Sequence, residues 1–142
     1  KNTLLLSYGR GCPRPVFVGS SAKVMISHLP KQMMLDYYQR FAEQLSAVNF
    51  AQDQHEFLEK MKKIKKQGYY FSVGELDPNI SGLSVPIKFS SKEPPLALTL
   101  LASKNRFEFV NLQKLIEILQ ENASLIEKKV NTLAEQTQHS PL

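Results

Sequence analysis

Residues 68–87, GYYFSVGELDPNISGLSVPI, place an acidic, turn-rich segment between two strand-like runs. The aromatic residues and valine at 69–73 favour a strand. Segment 75–82 then supplies the Gly, Asp, Pro and Asn residues that form turns. Residues 83–89 alternate between large aliphatic and smaller groups, which is the period of a second strand. The stretch therefore predicts two strands joined by a polar loop, and it leaves Gly82 to be explained at the start of the second strand.

A third run, residues 96–101, alternates in the same way after the break SSKEP at 90–94. We expect it to form an antiparallel hairpin with residues 83–89. One face of this hairpin carries large aliphatic side chains, namely Leu83, Val85, Ile87, Leu96, Leu98 and Leu100. The other face carries small or mildly polar groups, namely Gly82, Ser84, Pro86, Ala97 and Thr99. Pro86 further predicts an edge strand or a bulge, because proline cannot donate to a sheet ladder.

Helical patterns surround these strands. A short helix begins near Ser20 and Ser21 and stops at Pro30, a second covers 31–45, and a long one covers 111–135. The clearest helix is 53–67, with Asp53 and Glu56 as a capping pair and Gly68 as its C-terminal cap. Segment 3–8, TLLLSY, has a strand pattern. The elements predict an α+β fold in which Leu83, Val85, Leu98 and Leu100 are buried under the last helix.

The composition is typical of one globular domain, residues 1–142, with 42% hydrophobic and 22% charged residues. No apolar run has the length of a membrane span, and a single cysteine excludes an intrachain disulfide, so we expect a cytoplasmic protein. The net charge of +5 permits a nucleic-acid partner. However, the lysines of segment 60–66 share a helix with Glu56 and Glu59, which favours a solvated helix face over a DNA-binding patch.

No catalytic or metal-binding pattern emerges. His28, His55 and His139 lack the spacing of metal ligands, and Cys12 is interpreted as a loop thiol between Gly11 and Pro13. We therefore expect no enzyme activity, no metal and no cofactor. A small-molecule sensor is the third hypothesis, because the small-residue face of the hairpin leaves room for a ligand. On composition alone, close helix packing explains that face equally simply and is favoured.

Three blocks resemble the IclR family of bacterial transcription regulators. The first block, RPVFVGSSAKVMISHLP, is similar to the family's LPLHATAxGKALLAxLP. The second block, KKIKKQGYYFSVGELDPNISGLSVPI, is similar to RRRGYAxDxGELxPGVxCVAAPV. The third block, PPLALTLLA, is similar to xVAALSVSG. The blocks follow in the same order over about residues 11–130. The resemblance implies a GAF-like, profilin-like effector-binding domain, with helices on one face of a mostly antiparallel sheet and a ligand pocket on the other. It also implies a DNA-binding winged helix-turn-helix before Lys1, so DNA is a partner only through that domain.

The resemblance assigns the ligand-binding residues position by position, namely Ser20, Ser21, Ser72, Gly82, Thr99 and Leu101. Gly82 stands at the family's Cys position and faces the ligand space, which explains a glycine in that strand and leaves no metal ligand there. Leu101 replaces a family hydroxyl, so a very small and highly polar acid is disfavoured. The expected ligand is a small organic acid with an apolar body, its anionic end at the backbone N–H groups of Ser20 and Ser21.

The assembly expected from the resemblance is a homodimer or a tetramer without a membrane partner. The alternative function is a GAF-like small-molecule sensor domain of another signalling protein, and an upstream helix-turn-helix in the full gene product would separate the two. The sequence leaves open which acid is the effector, whether the regulator activates or represses, and which genes it controls.

Overall fold

The computed structural model describes residues 18–75, 77–89 and 95–138. Their helices are α1 (Ser20–Ile26), α2 (Lys31–Ala47), α3 (Gln54–Gln67), α4 (Lys104–Glu108) and α5 (Leu112–Gln138). Their strands are β1 (Tyr70–Val73), β2 (Ile80–Ile87) and β3 (Leu96–Ser103). The strand expected at 3–8, Cys12 and His139 lie outside the described residues. The α+β class is confirmed, and α4 is an element that the sequence patterns did not predict.

The three described strands form an antiparallel sheet in the order β1-β2-β3. The register pairs Leu83 with Leu100 and Val85 with Leu98, so the large aliphatic side chains share one face as predicted. The edge strand or bulge predicted from Pro86 was wrong, because Pro86 lies in regular register in the middle of the three described strands. The pairing of β1 with β2 nevertheless ends at Ser84. On that side Pro86 therefore lies past the end of β1, where no described strand requires a backbone N–H from it. The sheet can thus accommodate a proline at this position.

The ends of α3 follow the predicted capping chemistry. The Asp53 carboxylate accepts a hydrogen bond from the Glu56 backbone N–H at 2.8 Å. Gly68 ends the helix in the left-handed conformation, with φ of 77°. This conformation costs glycine little, because it has no Cβ. The cap matters for the site because Gly68 turns the chain directly into β1, which places α3 beside the side of β1 that pairs with no other described strand.

Helices pack on both faces of the sheet. On the aliphatic face α5 buries Val85 and Ile87 against Ala123. On the small-residue face α1 contacts all three strands. The larger apolar core lies between α1, α2, α3 and the segment before α3, and it contains Val24, Leu45, Phe50, Phe57, Met61 and Ile64. The face expected to be open for a ligand therefore carries a short helix in this structure.

The burial predicted under α5 holds for only part of the aliphatic face. Leu83 and Val85 are fully buried, and Leu98 is half-buried in the α5 cluster. The prediction was wrong for Leu100, which is 37% exposed. The reason is the position of α5, which lies along β2 and hardly touches β3. Side chains of β3 on this face are thus only partly covered.

Candidate functional site

Ser72, Gly82 and Leu101 stand side by side across the three strands and face α1. A Cβ atom placed on Gly82 would lie 2.9 Å from Ser20 Oγ, 3.1 Å from Leu101 Cδ2 and 3.2 Å from Ser72 Oγ. The structure thus gathers four of the six residues that the resemblance singled out around one point. We call this set, with Ser84 and Thr99, the hydroxyl cluster.

The hydroxyl groups of this cluster form a chain. Ser20 Oγ lies 2.7 Å from Ser84 Oγ, and Ser84 Oγ lies 2.6 Å from Thr99 Oγ1. Ser72 Oγ donates a longer hydrogen bond of 3.4 Å to the Gly82 carbonyl. Ser20, Ser72 and Ser84 are all buried. The cluster therefore holds rotatable hydroxyls that can donate or accept, inside a region shielded from water.

The structure corrects the expectation of free space beside Gly82. The side-chain ends of Ser20, Ser72 and Leu101 reach into that space, so a side chain at position 82 would require them to shift. Ser21 is half-buried, and among the described residues it is not one of those within hydrogen-bond distance of the hydroxyl cluster or close to Gly82. Because α1 has only seven residues, the side-chain hydroxyls rather than the helix dipole define the polar character of this region.

A buried ion pair lies next to the hydroxyl cluster and was missed in the sequence. Lys23 Nζ lies 2.6 Å from Glu75 Oε1, with the two side chains 2% and 15% exposed. The ammonium also lies 5.0 Å from the ring centre of Phe50 and 5.6 Å from that of Tyr70. One lysine therefore connects α1 with the loop before α3, with β1 and with the β1–β2 loop.

Burial dominates the electrostatics of this pair. Desolvation lowers the pKa of Lys23 below its ordinary value, and the attraction of Glu75 opposes this effect only in part. Burial also raises the pKa of Tyr70, and the nearby Glu75 carboxylate adds to the increase. Glu75 Oε2 is buried and has no hydrogen-bond partner within the described ranges. One oxygen of the Glu75 carboxylate is therefore left without a hydrogen bond in the described part of the chain, which makes the pair sensitive to its surroundings.

Helical spacing was the signal that could have revealed Lys23. Residues 20, 23, 24 and 27 lie on one face of a helix, and Ser20, Val24 and Ser27 are buried in the structure. A lysine within such a stripe requires a buried carboxylate partner. Glu75, the first residue of the turn-rich segment 75–82, supplies this carboxylate.

His28 and His55 are the histidines within the described residues. In the part of the chain that the structure describes, no three His, Cys, Asp or Glu side chains come together as a metal site would require. His28 is half-buried, and this burial is the main cause of its lowered pKa. The positive charges of Lys88 and Lys65 lower the pKa of His28 further. His55 is exposed in the first turn of α3. Among the described helices, none has the length and apolar character to cross a membrane.

Sequence comparison identifies one family over nearly the whole chain. The family described as "Bacterial transcriptional regulator IclR C-terminal" matches residues 2–128. A search of curated protein sequences found no match.

Solved structures agree with this match. The C-terminal domain of a transcriptional regulator from Vibrio cholerae is 26% identical, with a TM-score of 0.64 over 85% of this chain and 69% of that one. The transcriptional regulator YaiJ is 17% identical, with a TM-score of 0.78 over 92% and 73%. The inducer-binding domain of PobR from Acinetobacter, in complex with 3-hydroxybenzoic acid, is 20% identical, with a TM-score of 0.62 over 84% and 74%. The fold is thus the GAF-like fold of these domains, and the chain belongs to the IclR family of bacterial transcriptional regulators as a C-terminal effector-binding domain.

Proposed function

We propose that this domain senses a small organic acid on behalf of an IclR-type transcription regulator. The supporting observation is the convergence of α1 and three strands on the hydroxyl cluster around Gly82. Buried hydroxyls within one small volume can bind a carboxylate by directed hydrogen bonds. Leu101 beside them offers apolar contact for the body of the same ligand.

The proposed ligand has an aromatic or otherwise apolar body. Such a body matches Leu101 and the absence of a charged side chain among the residues of the hydroxyl cluster. PobR from Acinetobacter, a structural relative, was solved in complex with 3-hydroxybenzoic acid. That example supports aromatic acids as the first class to test here. The proposed contacts are Ser20, Ser21, Ser72, Gly82, Thr99 and Leu101.

Ligand entry at this point requires α1 to move. Ser20 Oγ occupies the space directly over Gly82, so a ligand there has to displace Ser20 from its contact with Ser84. The ligand then favours the arrangement in which α1 stands away from the sheet. In the regulator, this change would alter the arrangement of DNA-reading domains in a homodimer or tetramer in the cytoplasm. DNA contact is assigned to an N-terminal domain, and no catalytic step is assigned to this one.

Calorimetry of hydroxybenzoates and their primary amides tests this function. Thr99→Val removes one hydroxyl while keeping the side-chain volume, so we expect acid binding to weaken about tenfold, the worth of one lost hydrogen bond to a charged group. Thr132→Val is the matched control, because Thr132 lies exposed on α5 and donates only to the Lys128 carbonyl. Binding of the amide as tightly as the acid, or unchanged binding by Thr99→Val, would refute the assignment.

A further inference from the structure

A groove of about 490 Å³ runs between α3 and the outer edge of β1. Its volume lies within the roughly 300–1,000 Å³ of small-molecule sites. About half of its wall is apolar or aromatic, including Phe50, Ile64 and Tyr70, and the other half is polar or charged. The hydroxyl cluster lies instead over β2 and β3 under α1, and Ser72 alone borders both places. The groove is therefore a separate opening beside β1, the outer strand of the described sheet.

The edge of β1 presents backbone donors and acceptors to this groove. Gly74 N–H donates to the Ile80 carbonyl at 3.0 Å, which continues the β1–β2 register beyond Val73. Hydrogen-bonded pairs alternate in an antiparallel ladder, so the N–H and C=O groups of Phe71 and Val73 point away from β2. Among the described residues no strand pairs with them on that side. A ligand in the groove can use these groups.

The charges in the groove favour an anion. Lys60 and Lys63 line it from α3, and Glu75 lines it from the loop after β1. Glu75 is already neutralised by Lys23. Lys60 donates to the Phe50 carbonyl and lies 3.3 Å from Glu56. Lys63 is exposed and forms no ion pair within the described part of the chain.

We propose that the groove between α3 and β1 is a second binding site, which takes a small carboxylic acid with an apolar body. The carboxylate pairs with Lys63 and the outward N–H groups of β1, and the body lies against Phe50, Ile64 and Tyr70. This site does not rest on the hydroxyl cluster, because no residue of that cluster other than Ser72 lines it.

Helix α3 provides a matched pair of lysines for the test. Lys60, Lys63, Ile64 and Gln67 recur at helical spacing and form the groove side of the helix. Lys62 is exposed on the same helix but does not line the groove. Lys63→Glu and Lys62→Glu change the net charge of the chain equally, but only Lys63→Glu places the new charge in the groove.

The experiment titrates the full chain with benzoate, phenylpropionate and octanoate, each beside its primary amide, while backbone amide signals are followed by NMR. We expect at least one acid to shift the Phe71 and Val73 amides at millimolar concentration. Lys63→Glu should lower the affinity for that acid at least about tenfold, because it removes one favourable ion contact and adds a repulsion. Lys62→Glu should leave the affinity within about twofold of the parent value.

Each remaining outcome overturns the proposal. If no acid shifts the Phe71 and Val73 amides, or if the amide binds as tightly as its acid, the groove is not an acid site. Equal effects of the two charge reversals would mean that net charge alone drives binding. If an extended acidic peptide shifts these amides while the small acids do not, the edge of β1 docks a strand instead. Shifts confined to Ser20, Gly82 and Thr99 would locate binding at the hydroxyl cluster and so separate the two sites.

Discussion

Replacing Lys23 by methionine tests the buried ion pair most directly. Lys23→Met removes the ammonium while keeping an unbranched side chain of similar length, so little cavity forms. Glu75, whose side chain is only 15% exposed, then loses the cation at 2.6 Å. Breaking one partner of a buried pair typically costs about 3–5 kcal/mol, and we expect a loss of unfolding free energy in that range.

The pH dependence of this loss distinguishes electrostatics from packing. Burial lowers the pKa of Lys23 in the folded parent chain, whereas the unfolded chain keeps the ordinary value of 10.5. Between the two values the unfolded parent chain binds more protons than the folded one, so the stability of the parent chain rises with pH, and Lys23→Met lacks this rise. The deficit of Lys23→Met relative to the parent chain should therefore grow as the pH rises toward about 10.

A double variant removes both charges. Because buried pairs can be replaced by apolar residues at little cost, Lys23→Met/Glu75→Leu should recover to within about 1 kcal/mol of the parent chain or exceed it. Urea unfolding followed by circular dichroism measures all variants, with Lys62→Met as the exposed control on α3. A cost below about 1 kcal/mol for Lys23→Met that does not change with pH would refute an electrostatic role for the pair.

Two further predictions concern the faces of the sheet. Leu83→Ala should destabilise the fold by about 2–5 kcal/mol, because Leu83 is fully buried. Leu100→Ala should cost less than about 1 kcal/mol, because Leu100 is 37% exposed. Equal losses of unfolding free energy in urea would contradict the observed position of α5. Gly82→Ala should cost about 1–3 kcal/mol through crowding against Ser20, and this cost should shrink by about 1 kcal/mol in a Ser20→Ala background. A cost that is the same in both backgrounds would show that α1 does not rest on Gly82.

The sheet could be predicted from the sequence because its pattern has a period of two. Large and small side chains alternate in both runs of the hairpin, so only one pairing phase places the aliphatic residues together. The register of Leu83 with Leu100 and of Val85 with Leu98 follows that phase. Helix α3 was equally predictable, since Asp53 and Gly68 specify its two ends by local chemistry. These features depend on neighbours close in the sequence.

Burial of particular residues depends on distant elements and could not be predicted in the same way. Alternation assigns Leu100 to the aliphatic face but does not say where α5 crosses it. The same limitation applies to Gly82, whose missing side chain was interpreted as room for a ligand. The sequence cannot distinguish a glycine that leaves space from one that admits a neighbouring helix, because both need the same absent Cβ.

The placement of Ser20 and Lys23 on one short helix has a consequence for the proposed function. Ser20 holds one end of α1 against Gly82, and Lys23, one turn later, connects it to Glu75. Because both residues lie on this seven-residue helix, we expect an outward movement of α1 that releases Ser20 to strain the Lys23–Glu75 contact as well. Because Glu75 lines the groove as well, we expect a ligand in the groove and a ligand at the hydroxyl cluster to act on the same ion pair. Linkage then requires that each ligand changes the affinity of the other by the same factor. Lys23→Met, which removes the connection, should leave the two affinities independent.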